Sequence, residues 1–192
     1  TMPMSFEGSR RKIVADDGLR RLQQKVDTLI IVDNQGLLHS LKDNVSVEDA
    51  FKKADDILLQ GVKGISDLIT VPGLVNVDFA DVKSVMQNGG PAFMAVGEGK
   101  GKQAAQDAAH RALNNPLFSY PIYGATGILL NIKCGKDMAL AHVQEVAEIV
   151  RGASAVDPNV IFGVTQERRM KNRAVITLVA TGIPNNRDVI SN

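Results

Sequence analysis

The chain has 192 residues, 44% hydrophobic and 22% charged, enough for one good core or two small ones. Lys and Arg number 22 against 21 Asp and Glu, a net charge near +1 that leaves no electrostatic footprint for nucleic acid. No stretch reaches the roughly 18 uninterrupted apolar residues of a membrane-spanning helix, and aromatic residues, at 4% with no Trp, are too few for base-stacking platforms.

The single Cys134 cannot form an intramolecular disulfide, which favours a reducing, cytosol-like compartment. His39, His110 and His142 do not fall at metal-ligand spacing, so no metal site is expected. The opening Thr1-Met2-Pro3-Met4 lacks the basic-then-apolar pattern of a signal peptide, and Thr1-Met2 reads as the remnant of a cleaved tag.

Residues 8–26 read as a basic helix, with Arg10, Arg11, Lys12, Arg20, Arg21 and Lys25 around a thin apolar stripe at Ile13, Leu19, Leu22 and Val26. Residues 28–32 read as a short buried strand and 33–36 as a turn. The strongest helix spans 46–69, where Val47, Ala50, Phe51, Ala54, Ile57, Leu58, Val62, Ile65, Leu68 and Ile69 form a one-sided stripe behind a Ser46/Asp49 capping pair. Gly61 and Gly64 each cost this helix about 1 kcal/mol relative to Ala, so a close neighbour is expected at both. Pro72-Gly73 ends it.

A short helix over 79–88 leads to the break Asn88-Gly89-Gly90-Pro91. A strand at 93–96, an Ala-rich helix at 102–113 ending before Asn114-Asn115-Pro116, a strand at 127–133 and a helix at 140–150 follow. Strands at 160–164 and 174–180 close the series, with the polar, hairpin-like residues 167–172 between them. The order β-α-β-α-β-β predicts a compact α+β domain of four strands covered by two helices. The segment before residue 70 holds one strand, which cannot make a sheet alone, and it reads as the end of a larger α/β domain.

Four groups of residues carry candidate chemistry. Asp78 and Asp81 sit three apart at the mouth of the short helix, after Asn76. Capping alone accounts for that spacing. With a substrate brought against the helix mouth, the same carboxylates could polarise an attacking water in phosphoryl transfer, and Asn76 could add an amide contact. Phe51 and Asp55 lie four apart on one helix face: either a core Phe beside a solvated Asp, or a purine site. In the second case the ring stacks on the base and the carboxylate accepts from the guanine N1–H and N2–H2. Glu7 and Arg11 make either a helical ion pair or ribose and phosphate contacts. The run Gly97-Glu98-Gly99-Lys100-Gly101-Lys102 lacks the Gly at 96 and the Ser or Thr at 103 of a phosphate loop. It reads as a mobile strand-to-helix connection.

Several segments together carry a resemblance. They are Phe6-Glu7-Gly8 with Arg10-Arg11, Asp27-Thr28-Leu29-Ile30, Asp49-Ala50-Phe51 with Ala54-Asp55-Asp56, and Gln60-Gly61-Val62 with Gly64-Ile65-Ser66-Asp67-Leu68-Ile69. The most specific is Pro72-Gly73-Leu74-Val75-Asn76-Val77-Asp78-Phe79-Ala80-Asp81-Val82; Ala125-Thr126-Gly127, Val160-Ile161-Phe162-Gly163 and Val179-Ala180-Thr181-Gly182 also fit. From about Pro3 to Ile183 the chain resembles FtsZ, the tubulin-related GTPase of bacterial and plastid division rings. The resemblance implies a four-stranded mixed sheet covered by two helices, preceded by a central helix and the last elements of an α/β nucleotide-binding domain. The implied divisions are 3–45 for the nucleotide-side remnant, 46–70 for the central helix, 71–183 for the GTPase-activating domain and 184–192 for a polar tail.

The resemblance also implies roles. Asp78, Asp81 and Asn76 match the family's synergy loop, which reaches the nucleotide of the next subunit and activates hydrolysis. Phe51 and Asp55 match the guanine-contacting pair, Asn34 matches a further guanine contact, and Glu7 and Arg11 match ribose and phosphate contacts. The implied ligands are GTP and GDP in the full-length protein, with Mg2+ as a companion ion; none is expected on this chain alone. The implied partners are further copies in a head-to-tail polymer, the nucleotide-binding half, and division-ring proteins, with membrane contact only through adaptors. The implied location is the division site in the cytoplasm, or the plastid stroma. Two departures stand out. The family's Gly-rich phosphate signature, expected ahead of residue 3, and its C-terminal adaptor peptide are not in the sequence, as for a truncated polypeptide or one product of a split chain. Val32-Asp33 precede Asn34 where the family has Ile-Pro. The competing readings are a non-enzymatic module that docks on or caps filament ends, and a tubulin-like relative with a plasmid or cytoskeletal role.

Overall fold

The computed structural model describes residues 1–36, 46–115, 122–154 and 157–183. The expected polar tail 184–192, residues 37–45 of the N-terminal remnant, His39 and Pro116 lie outside the described residues. A 3-10 turn at Ser5–Glu7 leads into helix α1 (Ser9–Gln23), strand β1 (Thr28–Ile30), helix α2 (Val47–Thr70) and helix α3 (Phe79–Met86). Strand β2 (Gly90–Lys100), helix α4 (Ala104–Leu113), strand β3 (Gly127–Cys134), helix α5 (Leu140–Gly152), strand β4 (Asn159–Gln166) and strand β5 (Arg173–Thr181) complete the order.

The α+β class and the mixed sheet are as expected, but the sheet has five strands in the order β1-β2-β5-β3-β4. The additional strand is β1. It is not stranded without a partner: Thr28, Leu29 and Ile30 run parallel to Gly90, Pro91 and Ala92. Met2 prolongs this edge through a bridge to Asp33 and an N–H donated to the Val32 carbonyl at 2.8 Å, so residue 2 belongs to the fold. The expected hairpin at 167–172 is a crossing instead. β3 lies between β4 and β5, parallel to the first and antiparallel to the second. Burial decides this order. β3 and β5 are the most completely buried strands and take the interior of the sheet, while the β3–α5–β4 unit is a parallel crossover.

Alternation along β3 separates the two faces. Ile128, Leu130, Ile132 and Cys134 join α4 and α5 in the larger core. Leu129 faces the other way and joins Ala54, Leu68, Val77, Val82 and Met94 under α2 and α3. The first core explains the glycines at 97 and 99. β2 runs on through Lys100, so these residues are strand and not a mobile connection. A Cβ at Gly97 would lie 2.0 Å from the Ala108 carbonyl oxygen, and one at Gly99 would lie 1.9 Å from that of Ala104. The alanines of α4 (Ala104, Ala105, Ala108, Ala109 and Ala112, all buried) let the helix backbone approach the strand that closely. On the other face, a Cβ at Gly61 would strike Met94, and one at Gly64 would strike Thr177. That is the close packing the sequence demanded of α2.

Candidate functional site

α2 ends where the Val71 N–H closes its last bond to the Asp67 carbonyl at 3.0 Å, and Pro72 prevents continuation. The chain then turns onto β4, an edge strand. The Leu74 N–H donates to the Val164 carbonyl at 2.8 Å, and the Val164 N–H returns to the Val75 carbonyl at 3.1 Å. Gly73 is required there because a Cβ would meet the Val164 oxygen at 2.3 Å. Asn76 Oδ1 accepts from the Gly73 N–H at 2.7 Å and closes the turn, so one end of the Asn76 amide organises the loop itself. Val77 is buried and pins the segment to the sheet.

The helix mouth follows. Asp78 Oδ1 accepts from the Asp81 N–H at 2.8 Å, and Asp81 Oδ2 accepts from the Asp78 N–H at 3.3 Å, a reciprocal capping box. Each carboxylate thereby commits one oxygen to the backbone. Both side chains are exposed. Among the described residues neither is ion-paired, and Asp78 Oδ2 and Asp81 Oδ1 make no hydrogen bond. Leu74 and Phe79 flank the pair at 65% and 67% exposure, with Val71 and Val75 beside them. Two exposed acids next in the chain to unburied apolar side chains, after a segment bridged to the edge strand, make a surface suited to a partner.

α3 has only eight residues and is held at its far end by hydroxyls from two strands. Thr181 Oγ1 donates to the Val85 carbonyl at 3.0 Å, and Thr28 Oγ1 donates to the Met86 carbonyl. These borrowed donors satisfy carbonyls that the helix cannot satisfy itself. Sequence reading missed both threonines. Their hydroxyls sit 58 and 96 residues from their acceptors in sequence, beyond the reach of any local pattern.

The expected nucleotide-side residues divide into separate groups. Glu7 Oε2 pairs with Arg11 Nε at 3.2 Å, while Glu7 Oε1 accepts from the Met4 N–H at 2.9 Å. The Ser5 N–H donates to Gln35 Oε1 at 2.7 Å, which brings residues 34–36, helical where a turn was expected, beside the Glu7 turn. Asn34 Oδ1 is buried and unpartnered among the described residues. Phe51 is 41% exposed and so is not a core Phe, and Asp55 is exposed on the same helix. Among the described residues no hydrogen bond or ion pair ties Phe51 and Asp55 to the Glu7–Arg11 group. The resolved pKa displacements lie away from the acids. Lys133, by hydrogen bond and charge, holds the Glu167 carboxyl low, and burial, aided by Asp137, pushes the Cys134 thiol up.

A mixed sheet with a long helix and an acid-tipped short helix on one face, and two helices on the other, defines the C-terminal domain class of tubulin-like proteins. Residues 90–184 match the model of the FtsZ family, C-terminal domain. A solved, empty FtsZ dimer from M. jannaschii superposes with a TM-score of 0.88 at 40% identity, over 94% of this chain and 52% of that one. A point mutant of M. jannaschii FtsZ gives 0.88 and 40%, over 95% of this chain and 55% of that one. CetZ2 from Haloferax volcanii, solved as a GTPγS-bound protofilament, shares the fold at 18% identity (TM-score 0.74, 99% of this chain and 56% of that one). The chain belongs to the FtsZ family. It spans about half the length of these solved relatives.

Proposed function

We propose that this chain is the activating half of a filament-forming GTPase of cell division. Its Asp78/Asp81 mouth acts on GTP carried by the adjacent subunit of a head-to-tail protofilament. The observation that carries this reading is the exposed pair of carboxylates, each with one oxygen left over after capping, next in the chain to unburied apolar side chains. Those oxygens would orient and polarise a water for in-line attack on the γ-phosphate, while the capping bonds fix the carboxylates in place. The Asn76 amide nitrogen, opposite the oxygen bound by Gly73, is a further donor in the loop. Family membership supports the reading, as does the dimeric and protofilament state of the relatives described above.

On the nucleotide side, Phe51 and Asp55 would take the guanine by stacking and by accepting from its N–H groups. Asn34 would supply a further contact, and Glu7 and Arg11 would meet the ribose and phosphates. The unburied apolar side chains of α1 (Ile13, Val14 and Leu22) and of α2 (Leu59 and Val62) would pack against the nucleotide-binding half. Among the described residues no group of three or more His, Cys, Asp or Glu side chains converges. The acids therefore do not make a metal site by themselves, and Mg2+ would arrive with the triphosphate. The filament would lie at the division site in the cytoplasm or the plastid stroma, with division-ring proteins as partners and adaptors linking it to the membrane. This chain alone would be inactive, because no phosphate loop occurs in its sequence.

Mixing the chain with a separately produced nucleotide-binding half tests the proposal. GTP turnover should rise, and Asp81→Ala should remove the gain; turnover indifferent to Asp81→Ala would refute a catalytic role. The reciprocal capping box favours one competing reading, a non-enzymatic capping module in which the acids serve only their helix. Such a module would block polymerisation of the intact protein without changing turnover at each remaining interface.

A further inference from the structure

We propose that Thr28 is a positioning residue for the Asp78/Asp81 pair, acting from the opposite end of α3. This rests on the proposed role of those acids. β1 is the one strand of the sheet that comes from the nucleotide-side segment; one side-chain bond joins it to α3, and Asp27 just before it binds the turn that follows α3. Thr28 Oγ1 donates to the Met86 carbonyl, in the last turn of α3. Asp27 Oδ1 accepts from the Asn88 N–H at 3.4 Å, and the Asp27 carbonyl accepts from the Gly90 N–H at 2.8 Å. Asn88 and Gly90 hold φ of 55° and 61°, so the chain reverses tightly under β1. Gly89 lies directly beneath Thr28, and a Cβ there would fall 2.6 Å from Thr28 Oγ1 and 3.1 Å from Thr181 Cβ. No side chain larger than hydrogen fits between the two threonines.

Two features make the geometry more than a local cap. α3 spans only about 12 Å at 1.5 Å per residue, so a rigid-body tilt at Met86 reaches the helix mouth undiminished by bending. The helix is otherwise thinly anchored, since Val82 and Val85 are its only buried residues. The Thr181 bond comes from β5, inside the same domain. The Thr28 bond comes from β1, an edge strand of the same sheet that lies in the segment proposed to face the nucleotide, six residues before Asn34. The nucleotide-side segment of a subunit therefore sets the angle of the acids that the subunit presents to its neighbour.

The test uses this chain assembled with its nucleotide-binding half. Thr28→Val keeps the shape and removes the hydroxyl, and Thr28→Ser keeps the hydroxyl. The expected result for Thr28→Val is a fall in turnover per assembled interface of about 10- to 100-fold, the usual cost of a misplacement near 1 Å. Sedimentation of the polymer and the KM for GTP should stay as in wild type, and Thr28→Ser should restore turnover. Lowered thermal stability with unchanged turnover, or a Thr28→Ser variant as slow as Thr28→Val, overturns the proposal. Asp81→Ala is run beside them. If Asp81→Ala keeps full turnover, the catalytic reading itself fails, and the positioning claim is then judged on this chain alone by amide exchange. Thr28→Val should speed exchange of the Asp81 N–H that bonds Asp78, and Thr28→Ser should not; unchanged exchange in Thr28→Val overturns the claim.

Discussion

Replacing Asp78 first by Ala and then by Asn separates what this side chain does for its helix from what it does beyond it. Ala removes the acceptor of the 2.8 Å bond from the Asp81 N–H and dissolves the capping box. Loss of an N-cap costs about 1 kcal/mol, and in a domain of this size that lowers the melting temperature by about 2–4 °C. Asn keeps an acceptor oxygen in the same place and is as good an N-cap as Asp. It loses only the favourable interaction of a negative charge with the helix N-terminus, about 0.3–1 kcal/mol at an exposed site. Thermal unfolding of this chain by circular dichroism should therefore rank wild type, Asn, Ala, with Asn closer to wild type. GTP turnover in the presence of the nucleotide-binding half should rank differently, with Asn falling with Ala, because polarising a water needs the charge. Wild-type turnover in Asp78→Asn would show that the group is a cap and nothing more. An Asn variant as unstable as Ala would show that the cap assignment is wrong.

Further outcomes follow from the packing. Gly97→Ala should cost about 1–3 kcal/mol or more, since its Cβ meets α4 backbone that cannot yield. The nearest atoms that Gly64→Ala would meet belong to the Thr177 side chain, so Thr177→Ala, which removes Oγ1 and Cγ2 but keeps a Cβ 2.8 Å away, should relieve it in part in a double-mutant cycle of melting temperatures. Cys134 should resist thiol reagents in the folded chain and react freely in urea. Its thiol pKa is raised on folding, so its contribution to stability is complete below the ordinary value of about 8.5 and is lost as pH climbs through the raised one. Denaturant titrations across that alkaline range should show the decline, and Cys134→Ala should flatten it. Phe51→Ala should barely move the melting temperature, because the ring is 41% exposed, yet it should weaken GTP binding by the complete protein in a titration with labelled nucleotide.

What could be read from the sequence was what depends on near neighbours. The Ser46 cap, the Asp78/Asp81 box and the Glu7–Arg11 pair each close within three or four residues, and each is present as expected. The end of α2 at Pro72 is similarly local. Non-local pairing hid the rest. Nothing within residues 28–30 says that their hydrogen-bonding partner is Gly90–Ala92. Glycines at 97 and 99 read as a loop because glycine usually marks one, whereas here it admits the backbone of α4. Residues 167–172 read as a hairpin because chain neighbours often pair, but the almost wholly buried β3 displaced that pairing by taking the interior position. Of the site, the acids were legible and their support was not. The threonines that hold α3 come from distant strands, and Phe51 looked like core because a periodic stripe does not reveal which of its members stay uncovered.

The most direct test of action between subunits uses two complete polypeptides, each defective once. One carries Asp81→Ala and can hold nucleotide but not activate its neighbour; the other carries Asp55→Ala and can activate but not hold guanine. Alone, neither should hydrolyse GTP in its polymer. Mixed in equal amounts, random head-to-tail assembly places an intact nucleotide site against an intact acid pair at about one interface in four, and turnover should recover to about that fraction of wild type. Co-sedimenting polymers that stay silent after mixing, or full turnover by the Asp81→Ala polymer alone, would contradict the account.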